Sequence, residues 1–297
     1  MSQDRGAGEV TTPDGRVVCF AQWGPPDGIP LFALHGTPGG RLNCAPNEAV
    51  YHELGARVIT YDRPGYGRSQ RLPGRRIVDC VPDVTAIADH LGIARFAVQG
   101  GSGGGPHCLA VAAALPDRVL RARCVVGVAP FDAVGLSFFM GMDQMNVTEF
   151  SWALEGEARL ATELQRELAE MGGRVADDPS ALLGEAWDVD EADRAVLARP
   201  DVGAVIREAT ADLVAGGHWG WVDDDLAFIA PWGFELSAIR VPVEVRYGVK
   251  DVLVPAAHGA WLGRHVPGAR VVVESGEGHL TDPDRLVEQM RWVVHGD

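Results

Sequence analysis

From 96 to 106 the chain reads F-A-V-Q-G-G-S-G-G-G-P, an apolar strand running into glycines at 100, 101, 103, 104 and 105 with Ser102 among them. Neither a strand nor a helix persists well through so many glycines, so the stretch predicts a sharp strand-turn-helix, with the helix over 103–115. The spacing Gly100, Ser102, Gly104 is G-x-S-x-G. A chain that reverses this tightly forces its apex residue into strained dihedrals and brings the two backbone arms close together. The free N–H groups of the following helix then point toward the serine hydroxyl and favour negative charge there. Ser102 is the candidate nucleophile.

The rest of the chain alternates short β-branched or apolar runs with longer helical patterns, the signature of parallel strands joined by crossover helices. Strands are expected at 16–22, 30–34, 57–61, 95–99, 123–128, 242–247 and 269–274. Helices are expected near 47–54, 82–91, 103–115, 256–265 and 283–294, the last capped by Thr281 or Asp282 with Pro283 in its first turn. Between 131 and 230 the strand-like runs vanish. Apolar residues there fall at helical spacing, as in Leu160, Leu164, Leu168, Met171 and in Val202, Val205, Ile206, Ala209, Leu213. The expectation is an α/β fold, a mostly parallel doubly wound sheet formed by 1–130 and 231–297, with 131–230 inserted as a helical cap.

With 297 residues and a formal charge of −15, the chain has length for a large core and would repel nucleic acid and anionic membranes. The acidic runs at Asp223-Asp224-Asp225 and from Asp188 to Asp193 read as solvated surface. Five widely spaced cysteines without a C-x-x-C suggest reduced, mostly buried thiols rather than disulfides or zinc. The first ten residues lack an apolar signal core and no long apolar run occurs, so a soluble cytoplasmic protein is expected.

Two partners for Ser102 follow it in the order acid, then histidine. Asp251 comes just past the valine-rich run ending at Tyr247, at a strand end where ligand groups gather in open α/β sheets. His279, in G-E-G-H-L, follows the last expected strand and is the candidate general base. Asp251 would accept its second ring N–H, with Asp132 as competitor for that role. In H-G-T-P-G-G, from His35 to Gly40, the Thr37 N–H is the second donor for a developing oxyanion, the first being the N–H of Gly103; Pro38 cannot donate. His35 is expected to brace that loop. The turn-rich run Asp62 to Ser69 reads as a scaffold loop with a charged pairing inside it.

In combination these motifs closely resemble the α/β-hydrolase superfamily, and within it capped bacterial hydrolases similar to the proline-iminopeptidase and epoxide-hydrolase branches. The resemblance covers nearly the whole chain outside the insertion. It implies that His35 to Gly40 is an oxyanion loop, Gly100 to Gly104 the nucleophile elbow, and Asp251 and His279 the other members of a Ser-His-Asp triad. A serine at the elbow, where epoxide hydrolases and haloalkane dehalogenases carry aspartate, implies neither of those chemistries. Gly103 and Asp62-Arg63-Pro64-Gly65 depart from the tryptophan and D-Q-R-G of proline iminopeptidases, which points away from aminopeptidase activity. Glu149, Glu155 and Glu157, which could hold a substrate ammonium, read as helix-surface acids.

The cap would supply the walls of a pocket for an uncharged, bulky acyl or alcohol group. Phe138, Phe139, Met142 and Met145 on one side, with Trp219 and Trp221 on the other, are the expected lining, beside His35. The expected activity is hydrolysis of a carboxylic ester of a small, largely apolar molecule through an acyl-enzyme, without metal or organic cofactor. Lactone, thioester, amide and carbon-carbon bond hydrolysis use the same machinery and stay open, as does a proline-iminopeptidase-like activity. So do a cofactor-free oxygenase or cyclase and a ligand-binding protein with a vestigial triad. Partners are a small-molecule substrate, with no nucleic acid and no membrane, and the chain is a monomer or a homodimer.

Overall fold

Along each central strand, neighbouring side chains go to opposite apolar layers, as the period of two in a pleated strand requires. Leu31, Val58 and Ala97 face one layer, while Phe32, Ile59, Phe96 and Val98 face the other. The computed structural model describes residues 6–184 and 187–297. Among them the strands are β1 (Gly8–Thr11), β2 (Val17–Trp23), β3 (Ile29–Leu34), β4 (Ala56–Tyr61), β5 (Phe96–Gly101), β6 (Val119–Val125), β7 (Val243–Gly248) and β8 (Arg270–Glu274). They form one sheet in the order β1-β2-β4-β3-β5-β6-β7-β8. The pairs β1/β2 and β2/β4 are antiparallel; from β4 to β8 every pair is parallel.

Helices α1 (Ala49–Glu53) and α10 (Leu286–His295) cover one face, where Tyr51, Met290, Val293 and Val294 pack on Leu31 and Val58. Helices α2 (Val81–His90), α3 (Gly104–Ala114) and α9 (Ala256–His265) cover the other, contributing Val84, Ile87, Leu109, Val111 and Leu262. The α/β class with a mostly parallel sheet is therefore observed.

Three local expectations are corrected. The edge strand β1 was not anticipated: its four residues, G-E-V-T, are too few and too polar to show alternation, and pairing with β2 makes it a strand. The sixth strand, expected at 123–128, runs Val119–Val125, because Val126 adopts a positive φ of 45° that takes the chain out of the sheet. The last helix opens with a separate 3₁₀ turn, Pro283–Arg285, before α10, and its capping side chain is Asp282, which accepts the Asp284 N–H.

Between β6 and β7 lie α4 (Gln144–Glu155), α5 (Glu157–Asp177), α6 (Glu191–Leu197), α7 (Pro200–Gly216) and α8 (Trp219–Ile229). Leu160, Leu164, Leu168, Met171 and Val175 form the buried stripe of α5, three or four residues apart. They pack with Leu213, Trp221 and Val222 into an apolar cluster of their own, which also takes in Tyr66 from the loop after β4. Each such buried leucine contributes roughly 1.5–3 kcal/mol. Among the described residues, no helix is long and apolar enough to cross a membrane.

The acidic run at 223–225 is the largest departure from expectation. Asp223, Asp224 and Asp225 are 2, 0 and 2 % exposed. Asp224 pairs with Arg63 at 2.5 Å and Arg75 at 2.6 Å, and Asp223 with Arg71 at 2.9 Å. Trp221, Val222, Ala227 and Phe228 on either side of the three aspartates signal that this stretch of the helix is enclosed. The charged pairings of the Asp62 to Ser69 loop likewise reach outside it, Asp62 to Arg41 at 2.7 Å and Arg63 to Asp224.

Candidate active site

Ser102 sits at the end of β5 with φ of 53°, between the strand and the start of α3. Its N–H donates to the Val125 carbonyl at 2.9 Å and its carbonyl accepts the Gly105 N–H at 2.8 Å, which fixes the turn. A Cβ at residue 100 would overlap the Gly104 carbonyl, so the two arms of the turn approach as closely as they do only because that side chain is absent. Ser102 and Val126 are the non-glycine residues with positive φ among those described, and both line one cavity. Strain of this kind costs on the order of 1–3 kcal/mol and collects at functional sites.

That cavity, about 460 Å³, lies between the C-terminal strand ends and the helices that follow β6. His279 reaches it from the loop after β8. Its Nδ1 donates to Asp251 Oδ2 at 2.8 Å, leaving Nε2 as the ring nitrogen for a substrate-side proton. The Asp251 side chain is fully buried, and its other oxygen accepts the N–H groups of Leu253 at 2.9 Å and Val254 at 2.8 Å. The carboxylate is therefore pinned before it meets the imidazole. Burial alone would push the His279 imidazole down; the charge and hydrogen bond of Asp251, with a further contribution from the Asp193 charge, bring it above the ordinary histidine value.

The loop after β3 crosses beside the serine, so that a Cβ on Gly36 would stand 3.9 Å from Ser102 Oγ. The Thr37 hydroxyl donates to Asp224 Oδ2 at 2.6 Å and accepts from Arg63 Nη2 at 3.1 Å, tethering the loop through its side chain. Among the described residues, the backbone N–H groups of Thr37 and Gly103 are left without an acceptor. His35 is held neutral, its imidazole driven well below the ordinary value by burial and then by the neighbouring Arg63 charge. It gives its Nδ1 hydrogen to the Gly36 carbonyl at 2.7 Å and accepts the Arg63 N–H on Nε2 at 3.2 Å, the bracing geometry expected of it. His107, one turn into α3, donates to the Gly103 carbonyl at 2.7 Å; burial and the Arg63 charge push it down to about 3.

Of the apolar residues expected to line a pocket, Met145 and Trp221 do so. Phe138, Phe139 and Met142 instead pack in the core beneath, with Phe138 edge-on to Phe131, Phe150 and His258. Trp219 is 38 % exposed and lies under the Arg71 guanidinium at 3.8 Å, away from the cavity. Asp132 borders a different cavity, with Trp232 and Trp261.

Polar groups on α4, and Glu167 on α5, also reach the site. Met145, Asn146, Glu149 and Trp152 share the α4 face that lines the cavity, so Glu149 is not a surface acid. Its spacing from Met145 and Trp152 was the available sign. Glu149 Oε1 accepts the Trp221 indole N–H at 2.8 Å. Burial raises the Glu149 carboxyl, while hydrogen bonds from Asp225 and Trp221 hold it back; burial and then the Glu149 charge push Asp225 well above the carboxylate range. Among the described residues, no cluster of three or more His, Cys, Asp or Glu is arranged to hold a metal.

A family model described as the alpha/beta hydrolase fold matches residues 29–281. A proline iminopeptidase of Xylella fastidiosa is 33% identical over 289 residues, 92% of this chain and 90% of that protein. A non-heme chloroperoxidase of Streptomyces lividans is 38% identical over 126 residues, 41% of this chain, and the match spans less than half, 45%, of that relative's length. The crystal structure of an enol-lactonase from Burkholderia xenovorans superposes with a TM-score of 0.67 at 22% identity, covering 96% of each chain.

Proposed function

Because this chain belongs to the α/β-hydrolase fold family, we propose that it is a serine hydrolase that cleaves a carboxylic ester of a small, largely apolar molecule. The reading is carried by one observation: His279, bound through Nδ1 to the pinned Asp251 at 2.8 Å, lines the same cavity as the strained Ser102.

The chemistry follows from the atoms. As Ser102 Oγ bonds to the ester carbonyl carbon, its proton passes to His279 Nε2, and the imidazolium is stabilised by Asp251. The carbonyl oxygen becomes an oxyanion that the N–H groups of Thr37 and Gly103 receive, each worth roughly 2.7–4 kcal/mol of barrier. His279 returns the proton to the departing alkoxide, leaving an acyl-serine. Water, deprotonated by the same nitrogen, then attacks the acyl carbon; the bond to Ser102 Oγ breaks, Oγ takes the proton back from His279, and the acid leaves. Helices α4 to α8 act as a cap, and Met145, Met171, Leu213 and Trp221 in the wall suit an apolar group. No metal or organic cofactor enters these steps. With a formal charge of −15, the chain suits a small-molecule substrate rather than nucleic acid.

A second reading is favoured by Glu149. A carboxylate in the cavity wall is suited to a substrate ammonium, as in a peptide or ester with a free amino end, and a proline iminopeptidase is among the nearly full-length relatives.

A panel of p-nitrophenyl esters, lactones, thioesters and amino-acid anilides decides between these readings. Ser102→Ala is expected to abolish turnover and phosphonate labelling together; undiminished kcat in that variant would refute the nucleophile, and preference for anilides with a free amine would replace the ester reading.

A further inference from the structure

Asp193 lies on α6, in the segment between β6 and β7, and is fully buried. It faces the loop that carries His279. Its Oδ2 accepts the His279 N–H at 2.9 Å and its Oδ1 accepts the Leu280 N–H at 2.7 Å. The carboxylate occupies the space that a Cβ at residue 278 would need, so the glycine there is what lets α6 approach the loop. The helix is anchored on both sides of Asp193. At its start Asp190 takes the Lys250 ammonium at 3.1 Å, next to Asp251 in sequence; just past its end Arg199 pairs with Asp284 at 3.0 Å, five residues beyond His279. One short helix thus spans the loops that bear the acid and the base.

We infer that Asp193 is a positioning residue for the active-site histidine, a carboxylate lent by the helical insertion that fixes the His279 backbone and adds its charge to that of Asp251 around the imidazole. The inference rests on His279 being the base. Each effect has a physical source. Two part-buried N–H donors left without an acceptor are costly, so the loop settles where the carboxylate holds it. A second, buried negative charge stabilises the imidazolium that forms when Ser102 gives up its proton. Both carboxylates oppose the burial that would otherwise push the imidazole down. Of the other ionisable groups at this corner, Lys250 pairs with Asp190 and Arg285 with Glu277, while Arg194 on α6 donates to the Trp187 carbonyl.

The test is an NMR titration of the His279 ring in the full-length protein and in Asp193→Asn, with His279→Gln assigning the resonance. The midpoint is expected at lower pH in Asp193→Asn, and the acid limb of kcat/KM is expected to move the same way. A kcat loss on the order of 10²-fold should accompany it, with KM little changed. Titrations that superpose would overturn the inference, because a purely structural defect lowers kcat without moving either midpoint. Should Asp193→Asn not fold, Asp193→Ser, neutral and too short to clash with the two donors, is read in the same way. Ester turnover that survives His279→Gln has a different signature: it removes the base assignment, and with it the inference, whatever the ring titration shows.

Discussion

Arg63 Nη2 and Asp224 Oδ2 meet at 2.5 Å with neither side chain exposed, although 161 residues separate them in the chain. Around this pair gather the loops next to the serine. Arg63 donates to the carbonyls of His35 and Gly36, and Asp224 accepts from the hydroxyls of Thr37 and Tyr66. The ion pair therefore joins the loop after β3, the loop after β4 and helix α8. Burying two charges is favourable only when their hydrogen bonds are satisfied, as most are here.

Removing one partner should consequently be severe. Asp224→Ala is expected to cost about 3–5 kcal/mol, since it leaves Arg63 buried without its counter-charge. Urea unfolding of the two proteins measures it; a loss under about 1 kcal/mol would show that the pair is dispensable. Burial pushes the Asp224 carboxyl up, but Arg63 and Arg75 hold it well below the ordinary range. A carboxyl whose folded pKa is depressed gives stability that is present above its unfolded pKa, about 3.9, and is lost as pH falls through the folded value. The stability gap between the two proteins should thus be full at pH 6 and shrink only below about pH 4.

Hydrolysis should fail on the acid side. Because the imidazole of His279 must be neutral to accept a proton, and Asp251 raises it against burial, the acid limb of kcat/KM should have its midpoint above the ordinary histidine value of about 6.5. A flat profile down to pH 4 would remove His279 as the base.

Asp251→Asn should lower kcat on the order of 10⁴-fold with the fold intact, because an amide cannot stabilise the imidazolium and favours the wrong tautomer. Steady-state kinetics with an activated ester check this. A loss of less than tenfold would deny Asp251 the role.

Glu149→Gln keeps an acceptor for the Trp221 indole but removes the charge from the cavity wall. Substrates with a free amino group should then show KM raised at least tenfold, roughly 1.4 kcal/mol, while neutral esters are unaffected. Equal kinetics for both classes would confine Glu149 to a structural part.

Local chemistry made much of this molecule legible in advance. Glycines packed about Ser102 allow only a sharp turn between β5 and α3, and alternating apolar runs with helical spacing between them call for a parallel sheet. Position along the chain also drew Asp251 and His279 toward the strand ends where they meet. What no window of sequence contained was the partner of each charge. Asp223, Asp224 and Asp225 look like a solvated run until Arg63, Arg71 and Arg75 arrive from the other side of the chain, and Glu149 looks like a surface acid until α4 turns its Met145 and Trp152 face to the cavity. Turns and periodicity are settled by backbone sterics within a few residues, whereas the burial of a charge depends on which distant groups tertiary packing brings to it, and only the folded chain decides that.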